Sequence, residues 1–192
     1  MLRTCYIISF VVLLYGCQNM DGKKPPAGIA KYDLKGLLTN LPSMVFVSNP
    51  TYYKVASIDA KKDSSEVRLD SLGWAHEFQF LTDLKVDHAR LQSRYVKETL
   101  EENGKTTVYY HAMEPKKEDI DRIQISLSND MIEVIEIEIN TKNSLYASSR
   151  NIFLEFDNSQ NQMLLKSYRM KGWQHLKSMD TTRINLKGHF SY

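Results

Sequence analysis

Both tryptophans of the chain stand in the same short pattern, in which a glycine, the tryptophan and one further residue precede a histidine. The pattern occurs as Gly73-Trp74-Ala75-His76 and again as Gly172-Trp173-Gln174-His175. Two imidazoles that met across a sheet could bind copper or zinc, with a third ligand from His88, His111 or His189. Tryptophan is more often a packing residue, and the sequences around the two copies differ. We therefore predict no metal site and keep His76 and His175 as the alternative.

A polar segment rich in hydroxyl groups interrupts the apolar alternation of the C-terminal half. It runs from Asn143 to Arg150 and is expected to be a loop between two strands. Loops held by a rigid sheet often carry binding residues. We predict a candidate binding loop that offers a phenol, two hydroxyls and a guanidinium, from Tyr146, Ser148, Ser149 and Arg150. The alternative is a connecting turn whose polar side chains hydrogen-bond to their own backbone.

The sequence lacks the common catalytic patterns. It has no glycine-rich phosphate loop and no Gly-x-Ser-x-Gly nucleophile motif. Glu133, Glu136 and Glu138 could form a carboxylate cluster, but the last two alternate with isoleucines, as on the exposed face of a strand. We therefore predict a protein without enzymatic activity and without a cofactor, and an enzyme of unrecognised type is the third function class.

The first seventeen residues have the three parts of an export signal. Arg3 supplies the positive charge, residues 5–15 supply a mostly apolar run, and the small Gly16 precedes Cys17. The run is shorter than the roughly 20 residues that a membrane-spanning helix needs. It is therefore typical of a segment that is cleaved off.

This end of the chain resembles the bacterial lipoprotein class that signal peptidase II processes. Leu14, Gly16 and Cys17 match the lipobox of that class, whereas Tyr15 is bulkier than the residue usual at its position. The resemblance implies a signal peptide over residues 1–16, lipidation of Cys17 and stable anchoring by acyl chains. Gln18 stands where enteric members kept in the inner membrane carry aspartate. We therefore expect the outer membrane of the cell envelope, on either its periplasmic or its external face.

Cysteine use and charge exclude several further functions. With Cys5 in the signal and Cys17 lipidated, no thiol remains for a disulfide, a zinc site or covalent catalysis. The 25 basic and 23 acidic residues nearly balance, so no nucleic-acid partner is expected. Residues 114–140 are mainly acidic and residues 162–192 mainly basic. We expect these strands to lie side by side and pair their charges, and the alternative is a basic face turned toward anionic lipid.

The N-terminal half begins with a tether and a helix. Residues 17–28, rich in Gly, Pro and Lys, are expected to form the lipidated cysteine and a flexible tether, followed by a single domain over 29–192. Leucines at helical spacing predict a helix over 34–41, which Pro42 is expected to end. Period-two patterns then predict strands at 43–48, 52–58, 66–70 and 74–81. Residues 82–91 are ambiguous.

The remaining chain alternates apolar and polar residues between short polar turns. Asn103-Gly104 is typical of a type I′ hairpin and should join strands at 94–100 and 106–113. Apolar alternation predicts further strands around Ile125, Ile137, Leu154, residues 163–171 and Leu186. Strands at this spacing without intervening helices favour an antiparallel meander.

The predicted fold class is mainly β: an antiparallel meander, shaped as a half-barrel, barrel or sandwich, with one N-terminal amphipathic helix. The predicted function is that of a membrane-anchored envelope lipoprotein that binds a ligand or handles lipid. The alternative is an interaction or assembly component of an envelope complex. The expected partners are the membrane, through the anchor, and an apolar ligand or an envelope protein. A cavity lined by inward strand residues would favour ligand binding, namely Ile135, Ile137, Leu154, Phe156 and Leu186.

Overall fold

A computed structural model describes residues 33–159 and 162–192. The predicted signal peptide, the predicted lipidation site at Cys17 and the predicted tether over residues 17–28 lie outside the described residues. Asp33–Tyr192 forms one compact unit. Among the helices that are described, none has the length and apolar character needed to cross a membrane.

Nine strands of the described chain form a single antiparallel sheet in the order β2-β1-β9-β8-β7-β6-β5-β4-β3. Their bounds are Thr51–Ile58 (β1), Lys61–Val67 (β2), Tyr95–Glu102 (β3), Lys105–Ala112 (β4), Ile120–Ser128 (β5), Met131–Lys142 (β6), Tyr146–Asp157 (β7), Leu164–Leu176 (β8) and Thr182–Ser191 (β9). Strands β3 to β9 follow one another as a meander, and β1 pairs with β9. The prediction of a mainly antiparallel β fold is confirmed. Since the sheet is single and open, with edges at β2 and β3, the closed barrel and the sandwich are wrong.

Tight turns set the register of the meander. Asn103 and Gly104 join β3 to β4 with φ angles of 51° and 74°, which is the left-handed backbone that a type I′ turn requires. The predicted hairpin is therefore confirmed. Asn129 and Asp130 join β5 to β6 in the same way, with φ angles of 49° and 63°.

Alternating burial gives the sheet two different faces. Ile123, Ile137 and Ile152 lie opposite one another on β5, β6 and β7, and all three are fully buried. The residues that flank these isoleucines along each strand are partly exposed, and all of them except Phe153 are polar. Burying each such aliphatic side chain contributes about 1.5–3 kcal/mol. We call the isoleucine-lined side the helix face, because the helices pack on it, and the opposite side the outer face.

The helix face is covered mainly by α1 (Leu34–Ser48), α2 (Ser71–Glu77) and α3 (Gln79–Thr82), and α4 (His88–Arg94) lies beside β3. Asp33 caps α1 by accepting a hydrogen bond from the Gly36 N–H. The predicted helix end at Pro42 and the predicted strand over 43–48 are wrong, because α1 continues to a left-handed cap at Asn49. Pro42 and Val45 are buried in α1, and tertiary packing of that kind overrides the cost of an interior proline.

The predicted strand over 74–81 is also wrong, because these residues form α2 and α3. The buried residues are Trp74, Phe78 and Leu81, which recur at helical spacing. Asp70 starts α2 by accepting the Gly73 N–H. Trp74 and Phe78 stack with ring centroids 5.8 Å apart, within an aromatic cluster that also contains Tyr52, Tyr168 and Phe190.

Candidate functional site

The two histidines of the tryptophan patterns lie on opposite sides of the sheet. His76 is in α2, within the helical layer. His175 is near the end of β8 and lies opposite Ala147, on the outer face. The structure therefore does not bring His76 and His175 together. Within the described part of the chain, no group of three or more His, Cys, Asp or Glu residues is placed to hold a metal ion.

The four residues of the predicted binding loop are in strand β7 instead. The turn is limited to 143–145, where the Asn143 side chain accepts the N–H groups of Leu145 and Tyr146 at 2.9 and 2.8 Å. This side-chain turn lets regular pairing begin at Tyr146. Because side chains alternate along a strand, the odd-numbered Ser149 lies opposite Trp173 on the outer face. The even-numbered members, Tyr146, Ser148 and Arg150, face the helix side.

These three residues line a cleft of about 450 Å³ at the edge of the helical layer. Its apolar surface comes from Phe80, Leu84, Ile120 and Ile139. Its polar surface comes from Thr141, Tyr146, Ser148, Arg150, Asp83, Lys85, Arg90, Tyr95 and Asp119. A volume of this size lies within the range typical of small-molecule sites.

Three hydroxyl groups of the cleft form no hydrogen bond with the described part of the protein. Ser148 is 6% exposed and lies opposite Thr141 in the β6–β7 register. Neither of these hydroxyls, nor that of Tyr146, forms a hydrogen bond with another described residue. The Ser148 Oγ is not one of the buried side-chain atoms that lack a partner, so it opens into the cleft. The three hydroxyls are therefore free to hydrogen-bond to a molecule that enters the cleft.

A buried ion-pair network fixes one wall of the cleft. Glu118 is 5% exposed; it accepts hydrogen bonds from Arg90 in α4 and, at 2.9 Å, from Arg94. Burial acts to raise the pKa of the Glu118 carboxyl, but the two guanidinium groups outweigh it and hold that pKa below its usual value. Tyr95 donates to the Ile120 carbonyl at 3.0 Å. Together these contacts fix α4 and β3 against the start of β5.

The remaining charges at the cleft are two cations and two anions. Lys85 and Arg150 are exposed, as are Asp83 and Asp119. None of these four side chains forms an ion pair within the described ranges. The cleft therefore combines an apolar surface, neutral hydroxyls and charges of both signs.

A second buried polar network attaches α2 to the sheet. Glu77 accepts hydrogen bonds from Tyr52 at 2.6 Å, from Lys54 at 2.6 Å and from Tyr168. Burial, together with hydrogen bonding to Glu77, raises the pKa of both phenols well above the ordinary value. All members of this network are engaged with one another, so its role is to position the helical layer. Sequence reasoning missed it, because no local spacing connects residues 52, 77 and 168.

Two further groups of residues, considered above as a cavity lining and as a carboxylate cluster, have structural roles. Ile135, Ile137 and Leu154 are fully buried and fill the core, Phe156 is also buried, and Leu186 is half-buried. Glu136 and Glu138 lie on the outer face next to Arg122, at 4.0 and 3.5 Å. Glu133 pairs with Lys105 at 2.9 Å. The carboxylates are therefore solvated charges balanced by basic residues of β4 and β5.

The expected pairing of the acidic and basic segments is wrong. The neutral residues Ser149, Asn151 and Phe153 of β7 separate the acidic β6 from the basic β8 on the outer face. The acidic residues of β6 pair instead with β4 and β5. The basic residues of β8 and β9 are thereby left without acidic partners from that segment.

The fold and the cleft define a class of structure: an open nine-stranded antiparallel sheet with a helical layer on one face and an amphipathic cleft at the edge of that layer. Comparisons with protein-family models, with curated proteins and with solved structures found no match to the chain.

Proposed function

We propose that this protein is a lipid-anchored lipoprotein of the bacterial cell envelope that binds a small amphipathic ligand in the cleft beside Ser148. The observation that carries the proposal is a cleft in which three hydroxyls without a hydrogen-bond partner among the described residues, those of Thr141, Tyr146 and Ser148, lie beside an apolar surface. An apolar part of the ligand would contact Ile139 and Leu84. Its polar head would meet the hydroxyls and Arg150.

Substitutions on the two faces of β7 test the cleft. Ser148→Leu places a branched apolar side chain in the cleft, whereas Ser149→Leu makes the same change on the outer face. The probe is 11-(dansylamino)undecanoic acid, whose carboxylate and apolar chain match the two kinds of surface. We expect Ser148→Leu to weaken probe binding to the full chain by at least about tenfold, since a filled pocket cannot admit the ligand.

The matched control shows whether a loss of binding comes from the cleft or from any added leucine on β7. Ser149→Leu should bind the probe like the parent protein, and thermal unfolding should show that both variants are folded. Equal affinities in the two variants, or no saturable binding in the parent, would contradict the proposed site. Arg150→Ala should weaken binding of the undecanoate probe more than binding of an uncharged dansyl amide of the same length.

The anchor is tested separately. The resemblance at residues 1–17 implies acylation of the Cys17 sulfur. Labelled palmitate should enter the parent protein expressed in bacteria and should not enter Cys17→Ser. Equal incorporation of labelled palmitate in the two proteins, or none in either, would remove the proposed anchor and would leave the cleft untouched.

An apolar area of the helix face favours a second candidate function, an interaction component of an envelope complex. Ile58 is 56% exposed and lies directly opposite the half-buried Ile184, so the two apolar side chains are neighbours. Contiguous exposed apolar surface often marks a protein interface. A pure interaction component would show no probe binding that Ser148→Leu abolishes, so the cleft experiment separates the two candidates.

A further inference from the structure

We propose that the outer face of β8 and β9 is a docking surface for a bilayer that contains anionic phospholipid, with Trp173 at the membrane interface. The surface, called here the basic patch, consists of Arg169, Lys171, Arg183 and Lys187 around Trp173. All five side chains are exposed, and Trp173 is 41% exposed. This inference does not depend on the cleft.

The charges of the basic patch are not neutralised within the described chain. Arg169 lies directly opposite Lys187, and Lys171 lies opposite the neutral Asn185. Like charges placed opposite each other on neighbouring strands destabilise a sheet. No carboxylate forms an ion pair with any of these four side chains in the part of the chain that the structure describes. This clustering of basic residues lowers the stability of the isolated domain. A negatively charged partner would remove the repulsion, and this explains why the cluster is present.

The nearest carboxylates are occupied elsewhere. Glu155, on the neighbouring β7, pairs with Lys166 at 2.7 Å and accepts the Ser167 hydroxyl at 2.9 Å. Asp59 lies beside Arg183 but accepts its backbone N–H, at 2.7 Å. The guanidinium of Arg169 lies 4.9 Å from the centre of the Phe153 ring. The patch therefore presents net positive charge to the solvent.

A shallow depression lies within the patch and could seat a lipid headgroup. It has a volume of about 310 Å³ and extends across β7, β8, β9 and β1. Arg169, Lys187 and His189 line it together with the rings of Tyr53 and Phe153 and with Glu155. The Glu155 carboxylate is engaged by Lys166 and Ser167, so the basic side chains of Arg169 and Lys187 beside aromatic rings suit a phosphate group carried on an apolar body.

The exposed tryptophan favours a bilayer over a soluble polyanion. Tryptophan is enriched at membrane interfaces, where its amphipathic ring lies at the level of the headgroups. Neighbouring strands of a sheet are rotated by about 20–25°, so a flat membrane can contact only a few adjacent strands. Contact through β8 and β9 keeps the carboxylates of β6 turned away from the anionic surface. A long polyanion that followed the sheet would meet those carboxylates.

The fluorescence of Trp173 reports contact with the bilayer directly, because the other tryptophan, Trp74, is buried in the core at 3% exposure. The full chain carrying Cys17→Ser, which has no acyl anchor, is mixed with two kinds of vesicle. One contains phosphatidylcholine with 30% brominated phosphatidylglycerol, and the other contains brominated phosphatidylcholine alone. We expect tryptophan quenching in the anionic vesicles only, and Trp173→Phe should remove it.

Charge reversal tests the basic patch itself. Lys171→Glu with Arg183→Glu should weaken quenching by anionic vesicles at least about tenfold, because each basic residue near an anionic surface contributes a several-fold factor to binding. The matched control, Arg68→Glu with Lys116→Glu, alters net charge equally at exposed positions outside the patch and should quench like the parent.

Three results would overturn the proposal. Equal quenching in neutral and anionic vesicles would mean that the apolar N-terminal segment binds the lipid. Equal loss in both double variants would mean that net charge, and not the patch, is responsible. Binding to soluble heparin without quenching in any vesicle would assign the patch to a polyanion instead of a membrane.

Discussion

At the scale of single residues, the close approach of Gly188 to Tyr168 sets a strict limit on side-chain size. Gly188 lies opposite Tyr168 in the β8–β9 register, and a Cβ atom at this position would collide with the phenol ring. The ring cannot easily move away, because its hydroxyl is hydrogen-bonded to Glu77 and, at 2.7 Å, to Tyr52. Glycine is therefore required here by space and not by backbone conformation.

We expect Gly188→Ala to lower the free energy of unfolding by about 1–3 kcal/mol, the usual cost of overpacking, as measured by urea denaturation. The collision can be separated from a general preference for glycine by repeating the change in a Tyr168→Leu background. The alanine should then cost much less. Equal costs in both backgrounds would contradict the assigned role of the ring.

At the scale of helices and strands, the sequence predicted the C-terminal meander well and the helical layer poorly. Strands β5 to β9 alternate buried and exposed residues, as in Ile123, Ile125 and Leu127, and this period identifies a half-buried strand without further information. The turn at Asn103-Gly104 was likewise predictable, because only a few residue pairs tolerate two consecutive positive φ angles.

The helical errors have a common physical cause. Residues 43–48 and 74–81 are rich in aromatic and β-branched residues, which favour strands in isolation. In the structure they are helical because Val45, Trp74 and Phe78 bury their side chains against other helices and the sheet. Tertiary packing of this kind is not visible in a short window of sequence.

The candidate site was predictable in part. The chemistry of its residues drew attention to Tyr146, Ser148 and Arg150, which do share a cleft. The prediction of a loop could not separate Ser149 from the other candidates. Only in a strand do alternate side chains lie on opposite faces, which places Ser149 away from the cleft. Phe80, Leu84 and Asp119 complete the cleft from distant parts of the chain, and no sequence pattern relates them to β7.

At the scale of the whole molecule, buried tyrosines make stability depend on alkaline pH. Burial raises the pKa of Tyr110 to about 12, and it raises those of Tyr52 and Tyr168 as well. In the unfolded chain these phenols ionise near their ordinary pKa of about 10. The buried phenols therefore contribute their full stabilisation below pH 10, and the free energy of unfolding falls progressively as the pH rises above that value.

Urea denaturation at pH 8, 10 and 11 measures this dependence. Between pH 10 and 11 we expect each of these three buried tyrosines to lower the free energy of unfolding by up to about 1.4 kcal/mol. Tyr168→Phe should reduce the pH dependence of the free energy of unfolding by the contribution of one phenol. Tyrosinate absorbance that shows all eleven tyrosines of the chain ionising near pH 10 in the folded protein would contradict the assignment.

The pairing of β1 with β9 has a consequence for the order of assembly. Tyr52 lies opposite Phe190 in that pairing, so the first strand of the domain has no neighbour except β2 until the last strand has been made. The ribosome must therefore synthesise all the residues from β1 to β9 before these two strands can pair, and contacts this distant in sequence form slowly. Until β9 emerges, the sheet is unfinished and the chain is open to export machinery or to proteases.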